Sequence, residues 1–291
     1  MRSSLSLAGF LLSAVVLFVS APGARGAAEG PRELFNGRDL TGWDTYLGPR
    51  YDPQKKEFAG EPVGLNRDPD GVFSVVEVDG APAIRISGTV WGGVSTIEEF
   101  ENYHLRLQFK WGQARHAPRA NTVRDSGVLY HGVLPHAAGG RFWLRSQEFQ
   151  VQEHDTGDYW AVAGTSIKAR VLTEGPSDKP TYLHSPAGPL TVFRSGAATG
   201  PRIRRSVDAE HPRGEWNTLD LYCLGQTSLH VVNGVLVMTL HDSEQPDGQG
   251  GWTPLTKGRI QLQSEGADVF YRAIVVQPID RFPNFVLPSQ L

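Results

Sequence analysis

The stretch 146–155, SQEFQVQEHD, carries the residues best suited to acid–base chemistry. Its apolar and polar side chains alternate, which predicts a strand whose polar face carries Ser146, Glu148, Gln150 and Gln152. Glu153 is out of phase with Glu148, but a β-bulge near Gln152 would turn both carboxylates to one side. Two carboxylates in unlike environments can divide the roles of general acid and general base. An ordinary solvated strand face is the alternative that this pattern leaves open.

Two further strands carry polar rows that are rich in arginine and glutamine. One row consists of Arg106, Gln108 and Lys110, and the other of Arg259, Gln261 and Gln263, with Glu265 just beyond. Polar side chains of these types hydrogen-bond the hydroxyls of a sugar, while aromatic rings cover its apolar faces. Each row alone fits a solvated surface, but the three rows together predict a sheet face that binds carbohydrate.

Histidine and aspartate positions supply weaker candidates for chemistry. His131 ends the stretch RDSGVLYH and shares a predicted strand face with Leu129, although a single histidine is more often structural than catalytic. Asp155 and Asp158 could bind a hard cation or simply cap a turn. The sequence has neither a nucleophile-elbow serine motif nor a His-Glu-x-x-His zinc motif. We therefore predict no metal ligands, and a divalent cation stays an open alternative.

Strands must position these residues, because no segment shows a helical period with caps. Alternating strands are predicted at residues 83–87, 104–111, 259–263 and 269–276. Asn233 and Gly234 stand between β-branched residues and predict a hairpin turn. The many turns implied by 33 glycines and 20 prolines favour an all-β sandwich or jelly roll of two antiparallel sheets. Two long loops, at residues 112–124 and 173–214, are expected to form walls of a binding site.

Composition and charge exclude several classes of function. The chain of 291 residues has a formal net charge of −3, so it offers no basic field to nucleic acid. Residues 1–26 combine a basic start, an apolar run and small residues, which is typical of a secretory signal peptide. The rest forms one predicted domain over residues 32–278, without a membrane span, and its single cysteine, Cys223, cannot form an internal disulfide. We predict a secreted or periplasmic protein of the bacterial envelope.

Several motifs of the chain resemble those of a bacterial family of secreted proteins, the 3-keto-disaccharide hydrolases, also described as 3-keto-glucoside-1,2-lyases/3-keto-2-hydroxy-glucal hydratases. The N-terminal signature is ELFNGRDLTGW, at residues 33–43. Further matches are NYHLRL at 102–107, RDSGVLYH at 124–131, EFQVQE at 148–153, GEWNT at 214–218, Asn233-Gly234 and GRIQLQSEG at 258–266. The resemblance implies a concanavalin A-like jelly roll of the lectin and glucanase type.

The resemblance also implies a reaction. A separate oxidoreductase would first oxidise the C3 hydroxyl of a glycoside or oligosaccharide to a ketone, which acidifies the C2 hydrogen. A base would remove that proton, the group at C1 would leave, and water could then add to the product. In this chain we assign the base to Glu148 and the acid to Glu153 or His131. The enolate would be stabilised by Arg106, Lys110 or Arg124, and the sugar hydroxyls would be held by Gln150, Arg259, Gln261 and Gln263.

Two other classes of function fit the same residues. A jelly roll serves non-catalytic carbohydrate-binding modules as readily as enzymes. A pair of buried carboxyls with raised pKa values would favour the enzyme, whereas a flat aromatic platform without such a pair would favour the lectin. An ordinary glucanase is the third hypothesis. It is weakened by Gln150, which stands between Glu148 and Glu153 where that class of enzyme would place an acidic residue.

Overall fold

The computed structural model describes residues 30–138 and 140–285, so the predicted signal peptide at 1–26 lies outside the described residues. The described residues form strands and turns and contain no helix that could cross a membrane. The strands are β1 (Arg32–Glu33), β2 (Trp43–Leu47), β3 (Arg50–Asp52), β4 (Glu57–Ala59), β5 (Gly64–Leu65), β6 (Phe73–Val78), β7 (Ala81–Ile86), β8 (Gly92–Thr96), β9 (Phe100–Glu101), β10 (Tyr103–Arg115), β11 (Asp125–Val133), β12 (Arg145–Gln152), β13 (Tyr159–Val162), β14 (Ser166–Glu174), β15 (Thr181–His184), β16 (Leu190–Arg194), β17 (Arg202–Ile203), β18 (Asn217–Leu224), β19 (Thr227–Val232), β20 (Val235–Pro246), β21 (Trp252–Pro254), β22 (Lys257–Ser264) and β23 (Ala267–Pro278).

Two antiparallel sheets account for most of these strands. Within the part of the chain that the structure describes, one sheet has twelve strands, in the central order β15-β14-β20-β19-β18-β10-β23-β7-β6. The other has nine, in the order β17-β13-β12-β11-β22-β8-β2-β5, with β9 beside β22. The short hairpin β3-β4 stands apart from both. The predicted all-β jelly-roll sandwich of two antiparallel sheets is therefore confirmed.

Alternation along the strands builds the core between the two sheets. Leu105, Leu107 and Phe109 of β10 are each at most 1 % exposed, and they belong to the same buried cluster as Phe149 and Val151 of β12. Each such side chain stabilises the fold by roughly 1.5–3 kcal/mol on burial. The intervening residues of β10 and β12 consequently lie on the outer faces of the sandwich.

The predicted turn at Asn233 and Gly234 joins β19 to β20. Their φ angles are 49° and 83°, the left-handed values that a two-residue hairpin turn of this type needs. Cys223 lies in β18 and is fully buried, as an inert core thiol would be.

Both predicted long loops are shorter in the structure than their sequences suggested. β10 continues to Arg115, and the region 173–214 contains β15, β16 and β17. β15 and β16 pair with β14, and β17 pairs with β13. Edge strands as short as these carry too few residues for alternation to reveal them.

Candidate active site

A pocket lies on the outer face of the nine-stranded sheet, and we call it the carboxyl pocket. It is lined by Arg119, Asp125, Trp143, Glu148, Gln150, Gln152, Trp160, Gln263 and Glu265. Its volume is about 240 Å³, which is enough for part of a small sugar.

Strand register brings these side chains together from four adjacent strands. Trp160 of β13 lies opposite Glu148 of β12, and Gln150 lies opposite Gly127 of β11. β22 lies on the other side of β11 and carries Gln263 to the same face. Because residues two apart on a strand share a face, the sheet presents a compact polar group rather than scattered side chains.

Gly127 leaves the space in which two of the polar side chains meet. A Cβ at this position would collide with Glu148 Oε1 and would lie 2.6 Å from Gln263 Oε1. A side chain at this position would therefore displace the Glu148 carboxyl from its place in the pocket.

Asp125 is the most strongly hydrogen-bonded carboxyl of the pocket. Its Oδ1 accepts from Gln150 Nε2 at 3.0 Å, its Oδ2 accepts from Gln152 Nε2 at 2.6 Å, and it forms an ion pair with Arg119. Burial raises the pKa of Asp125 to about 7, against the opposing effect of the Arg119 charge and the Gln152 hydrogen bond. The group can therefore change its protonation state near neutral pH.

Glu148, which is buried, and Glu265, whose side chain is 12 % exposed, complete a trio of carboxyls. Burial raises the pKa of Glu148 well above its usual value, and the nearby Asp125 charge raises it further. The same two causes raise the pKa of Glu265, although Arg119 Nη1 lies 3.3 Å from Glu265 Oε1. Arg119 pairs with Asp125 and Glu265 while Glu148 lies near the Asp125 charge, so the three carboxyls cannot all be ionised together at low cost.

Two tryptophans form walls beside the carboxyls. Trp143 stacks on Trp91 with ring centroids 5.7 Å apart, and its indole N–H donates to the Gly92 carbonyl at 3.0 Å. Trp160 is flanked by Arg202, whose guanidinium carbon lies 5.5 Å from the ring centroid. Fixed aromatic faces beside hydrogen-bonding groups are the usual means of holding a sugar ring.

A family model described as "3-keto-alpha-glucoside-1,2-lyase-like domain" matches residues 30–277. The chain belongs to this family. Membership assigns a carbohydrate-active role to the chain and confirms the resemblance found in its motifs. No curated protein matches the chain.

Solved structures of similar fold share little sequence with this family member. A Parabacteroides distasonis ATCC 8503 protein, provisionally described as a glycosyl hydrolase, is 17 % identical, with a TM-score of 0.47 over 86 % of this chain and 94 % of its own. The carbohydrate binding module CBM66 from Bacillus subtilis is 9 % identical, with a TM-score of 0.39 over 70 % of this chain and 91 % of its own.

Three of the predicted site residues line the carboxyl pocket: Glu148, Gln150 and Gln263. Gln261 and Arg259 lie on the same sheet but are bound to protein groups. Gln261 Oε1 accepts from the Leu144 backbone N–H at 3.0 Å, and Arg259 forms an ion pair with Asp44 at 2.7 Å.

Glu153 lies outside the pocket, paired with another predicted residue. Its carboxylate is 3.2 Å from Arg124 Nη1, and the Arg124 guanidinium also donates to the carbonyls of Gly112 and Gln113. The ladder between β11 and β12 is regular from Asp125 to Tyr130, so the expected bulge near Gln152 does not form. Glu153 consequently keeps the phase opposite to that of Glu148.

His131 lies in the core rather than in the pocket. Its φ is 53° and the ladder shifts register between Tyr130 and Val133, so a bulge turns the ring inwards. The ring centroid lies 6.0 Å from that of Tyr103 and 5.2 Å from that of Tyr130. Burial lowers the pKa of His131 to about 4, which is typical of a neutral core histidine.

Arg106 and Lys110 lie on the twelve-stranded sheet. β10, which carries both, pairs with β18 and β23 and is not part of the sheet that holds the pocket. Arg106 lies 3.5 Å from Asp220, and Lys110 forms an ion pair with Asp79 at 2.9 Å. An alternating pattern reveals the polar face of a strand but not the sheet to which the strand belongs.

Six pocket residues were not predicted as site residues: Arg119, Asp125, Trp143, Gln152, Trp160 and Glu265. Asp125 belongs to the RDSGVLYH motif and Gln152 to the polar face predicted for β12, but neither was assigned a role. Arg119 falls in the first predicted loop wall, and Glu265 directly follows the polar row of β22, so both carried a usable signal. Neither tryptophan carried a usable signal, because Trp143 lies before β12 and Trp160 lies on a strand too short to predict.

The aspartates considered as cation ligands bind arginines instead. Asp158 accepts from Arg202 Nη2 at 2.7 Å and from the Arg205 backbone N–H at 2.9 Å, and Asp155 lies 3.0 Å from Arg202. Over residues 30–138 and 140–285, no group of three or more His, Cys, Asp or Glu side chains is arranged to hold a metal ion.

Proposed function

We propose that this protein is an enzyme that cleaves 3-keto-glycosides by removing the C2 proton and eliminating the group at C1, after which water adds to the product. The observation that carries the proposal is the trio of carboxyls, Asp125, Glu148 and Glu265, inside an aromatic-walled pocket in which Arg119 pairs with two of them. Carboxyls with raised pKa values can exchange protons with a substrate near neutral pH.

The environments of the carboxyls suggest which one is the base. Asp125 has a guanidinium and two amide donors that stabilise its anion, whereas Glu148 has no ion pair and no donor of that strength among the described residues. Asp125 should therefore lose its proton first and act as the base, while Glu148 stays protonated and donates to the leaving group. The motifs had led us to expect Glu148 as the base. In this proposal Glu148 is the acid, and it remains a catalytic residue.

The ketone at C3 makes removal of the C2 proton possible. Loss of the C2 proton creates an enolate whose negative charge develops on the C3 oxygen. Arg119 is the cation that lines the described part of the pocket, and its buried Nε has no partner among the described residues. A donor that is held in place and not already used can stabilise the developing oxyanion without reorganisation.

A non-catalytic carbohydrate-binding module is the second candidate, supported by the walls formed by Trp143 and Trp160. Stacking walls alone would suit a lectin, but a lectin gains nothing from three carboxyls gathered around a single cation among the described lining residues. The carboxyl trio thus supports the enzyme.

The first experiment incubates the purified protein with a 3-keto-glucoside and with its unoxidised parent, each with and without a chelator. Release of the leaving group from the keto form alone is the expected result. Cleavage of the parent would indicate an ordinary glycosidase, and binding without release would indicate a lectin. The chelator arm reports whether a divalent cation takes part.

Variants then test the roles of the carboxyls. Asp125→Asn and Glu148→Gln should each lower kcat by at least about a hundredfold, the usual contribution of a positioned acid or base. Glu77→Gln is the matched control, because Glu77 is exposed on β6 of the other sheet. Full lyase activity in Glu148→Gln would refute the proposed role of that residue.

The pathway and the location belong to the same proposal. A ketone at C3 must be made by an oxidoreductase that acts before this enzyme. The apolar run at residues 5–19 supports export to the bacterial envelope. If residues 1–26 are a cleaved signal peptide, the exported protein should begin near residue 27. Sequencing the N-terminus of the protein from the periplasm or medium tests this.

A further inference from the structure

The carboxyl pocket contains buried hydrogen-bond acceptors that the protein leaves unused. Gln150 Oε1 and Gln263 Oε1 are both buried and have no hydrogen-bond partner among the described residues. For Gln150 the orientation of the amide is fixed, because its Nε2 donates to the Asp125 carboxylate, which can only accept. A buried acceptor without a donor is costly, so a ligand that supplies donors regains that free energy.

The charges of the pocket also favour a ligand that supplies hydrogen-bond donors rather than negative charge. Asp125, Glu148 and Glu265 line it, and Arg119 is the only cation among its described lining residues. The Arg119 guanidinium already contacts both Asp125 and Glu265. Of the Arg119 nitrogens, Nε is the one left without a partner among the described residues, so an anionic substituent would find one donor amid three carboxyls.

We propose that the pocket selects its substrate by donor content and charge: it accepts sugars that carry hydroxyl or ammonium groups, and it rejects sugars that carry a carboxylate or sulfate. This inference rests on the proposed function and narrows its substrate class to neutral and amino-substituted glycosides.

The chemistry of the three ring substituents explains the selection. A hydroxyl can donate to Gln150 Oε1 or Gln263 Oε1 and still accept a hydrogen bond, and an ammonium group offers three donors and a charge opposite to that of the carboxyls. A carboxylate or sulfate offers acceptors alone, so it would leave the buried amide oxygens of Gln150 and Gln263 without a donor. Specificity of this kind arises from repulsion of the wrong ligand as much as from attraction of the right one.

The test compares three substrates that differ at C6 alone: the 3-keto derivatives of 4-nitrophenyl glucoside, of the corresponding glucuronide and of the 6-amino-6-deoxyglucoside. All three release the same 4-nitrophenol, so kcat/KM reports recognition of the sugar. We expect a kcat/KM for the glucuronide about a hundredfold or more below that of the glucoside, and a value for the amine within about tenfold of it. A glucuronide that is cleaved as well as the glucoside would overturn the inference.

A variant that lacks one of the carboxyls tests whether they cause the discrimination against the glucuronide. Glu265→Gln removes one of the three carboxyls, so the ratio of glucoside to glucuronide kcat/KM should fall by about tenfold, whatever the total activity. Asp280→Asn is the control: it removes one charge from a side chain that is 92 % exposed, and it should leave the ratio unchanged. Equal ratios in wild type and Glu265→Gln would contradict the electrostatic origin of the selection.

A binding comparison separates this inference from the proposed function. Binding of unoxidised methyl glucoside, methyl glucuronide and methyl 6-amino-6-deoxyglucoside is followed by the change in tryptophan fluorescence, to which Trp143 and Trp160 contribute from the pocket, and needs no turnover. If no keto substrate is cleaved but the glucuronide binds much more weakly than the other two, the proposed reaction fails and the selection stands. Glucuronide binding equal to that of the glucoside, or binding of none of the three, would overturn the selection.

Discussion

At the scale of single residues, carboxyls on neighbouring strands differ because their partners differ. Asp125 is held by Arg119, Gln150 and Gln152, whereas Glu148 lies over Gly127 beside Gln263. Hydrogen bonds to an anion favour ionisation and burial without them opposes it. The site can therefore hold one carboxylate and one carboxylic acid at the same pH, as acid–base catalysis requires.

The raised pKa of Asp125, about 7, predicts the acid limb of the pH–rate profile. A base works only when deprotonated, so kcat/KM should rise with pH until this group has ionised and should then level off. Measurements of kcat/KM for a neutral 3-keto-glucoside between pH 5 and pH 9 test this. A wild-type profile that is flat across this range would rule out Asp125 as the base, and the residual activity of Asp125→Asn should lack the limb.

The position of Gly127 predicts how a single added methyl group would affect catalysis. Gly127→Ala places a methyl group against Glu148 Oε1 and Gln263 Oε1, so both side chains must move. A shift of about 1 Å can cost about a hundredfold in rate, and we expect kcat to fall by that order. Gly30→Ala is the control, since a Cβ there would meet nothing within 4 Å. Unchanged kcat in Gly127→Ala would show that the Glu148 carboxyl is not held as described.

At the scale of elements, the two-residue strand β17 supports one wall of the site. Arg202 lies opposite Trp160 in the ladder between β17 and β13. Its guanidinium is fixed by Asp155 and Asp158, the latter fully buried, and packs on the indole ring. A loop that contains no recognisable strand pattern thus positions an aromatic face against which a sugar can stack.

Loss of this support should affect binding more than chemistry. Arg202→Met keeps the length of the side chain but removes the charge over Trp160, so KM should rise about threefold to tenfold with kcat nearly unchanged. Arg194→Met is the matched control, because Arg194 packs at 4.7 Å from the ring of Trp252, which does not line the pocket. A change in kcat with constant KM would show that Arg202 acts on the chemistry instead.

At the scale of the whole molecule, polar side chains join the two sheets through the core. Ser126 Oγ of the nine-stranded sheet donates to the Gln263 carbonyl at 2.8 Å, and Tyr271 OH of the twelve-stranded sheet donates to Ser126 Oγ at 2.8 Å. Tyr130 OH bonds Ser228 Oγ across the same gap at 2.8 Å. Fully paired buried groups of this kind help to fix the position of one sheet on the other.

Tyr271→Phe tests the link between the sheets. The variant removes one hydrogen bond but leaves Ser126 donating to Gln263, so no donor is stranded. The free energy of unfolding should fall by about 1 kcal/mol, the net value of a typical buried hydrogen bond. Urea denaturation of the variant and the wild type measures the difference. A loss above about 3 kcal/mol would mean that the hydroxyl supports more than this one contact.

The sequence by itself determined the fold class, the phase of β12 and part of the site. Alternation is a local property, so it revealed that Glu148 and Gln150 share a face while Phe149 and Val151 are buried. The turn at Asn233 and Gly234 is equally local, because the φ angles it needs restrict the residue types.

Only the tertiary structure decided which polar rows meet. Arg106 and Lys110 have the same local pattern as Gln263, yet strand pairing places β10 in one sheet and β22 in the other. Likewise, the bulge that turns His131 into the core and the regular ladder that keeps Glu153 out of the pocket depend on the partner strand. Arg119 reaches the site from a turn and Trp160 from the four-residue strand β13, whose positions are set by contacts far away in sequence.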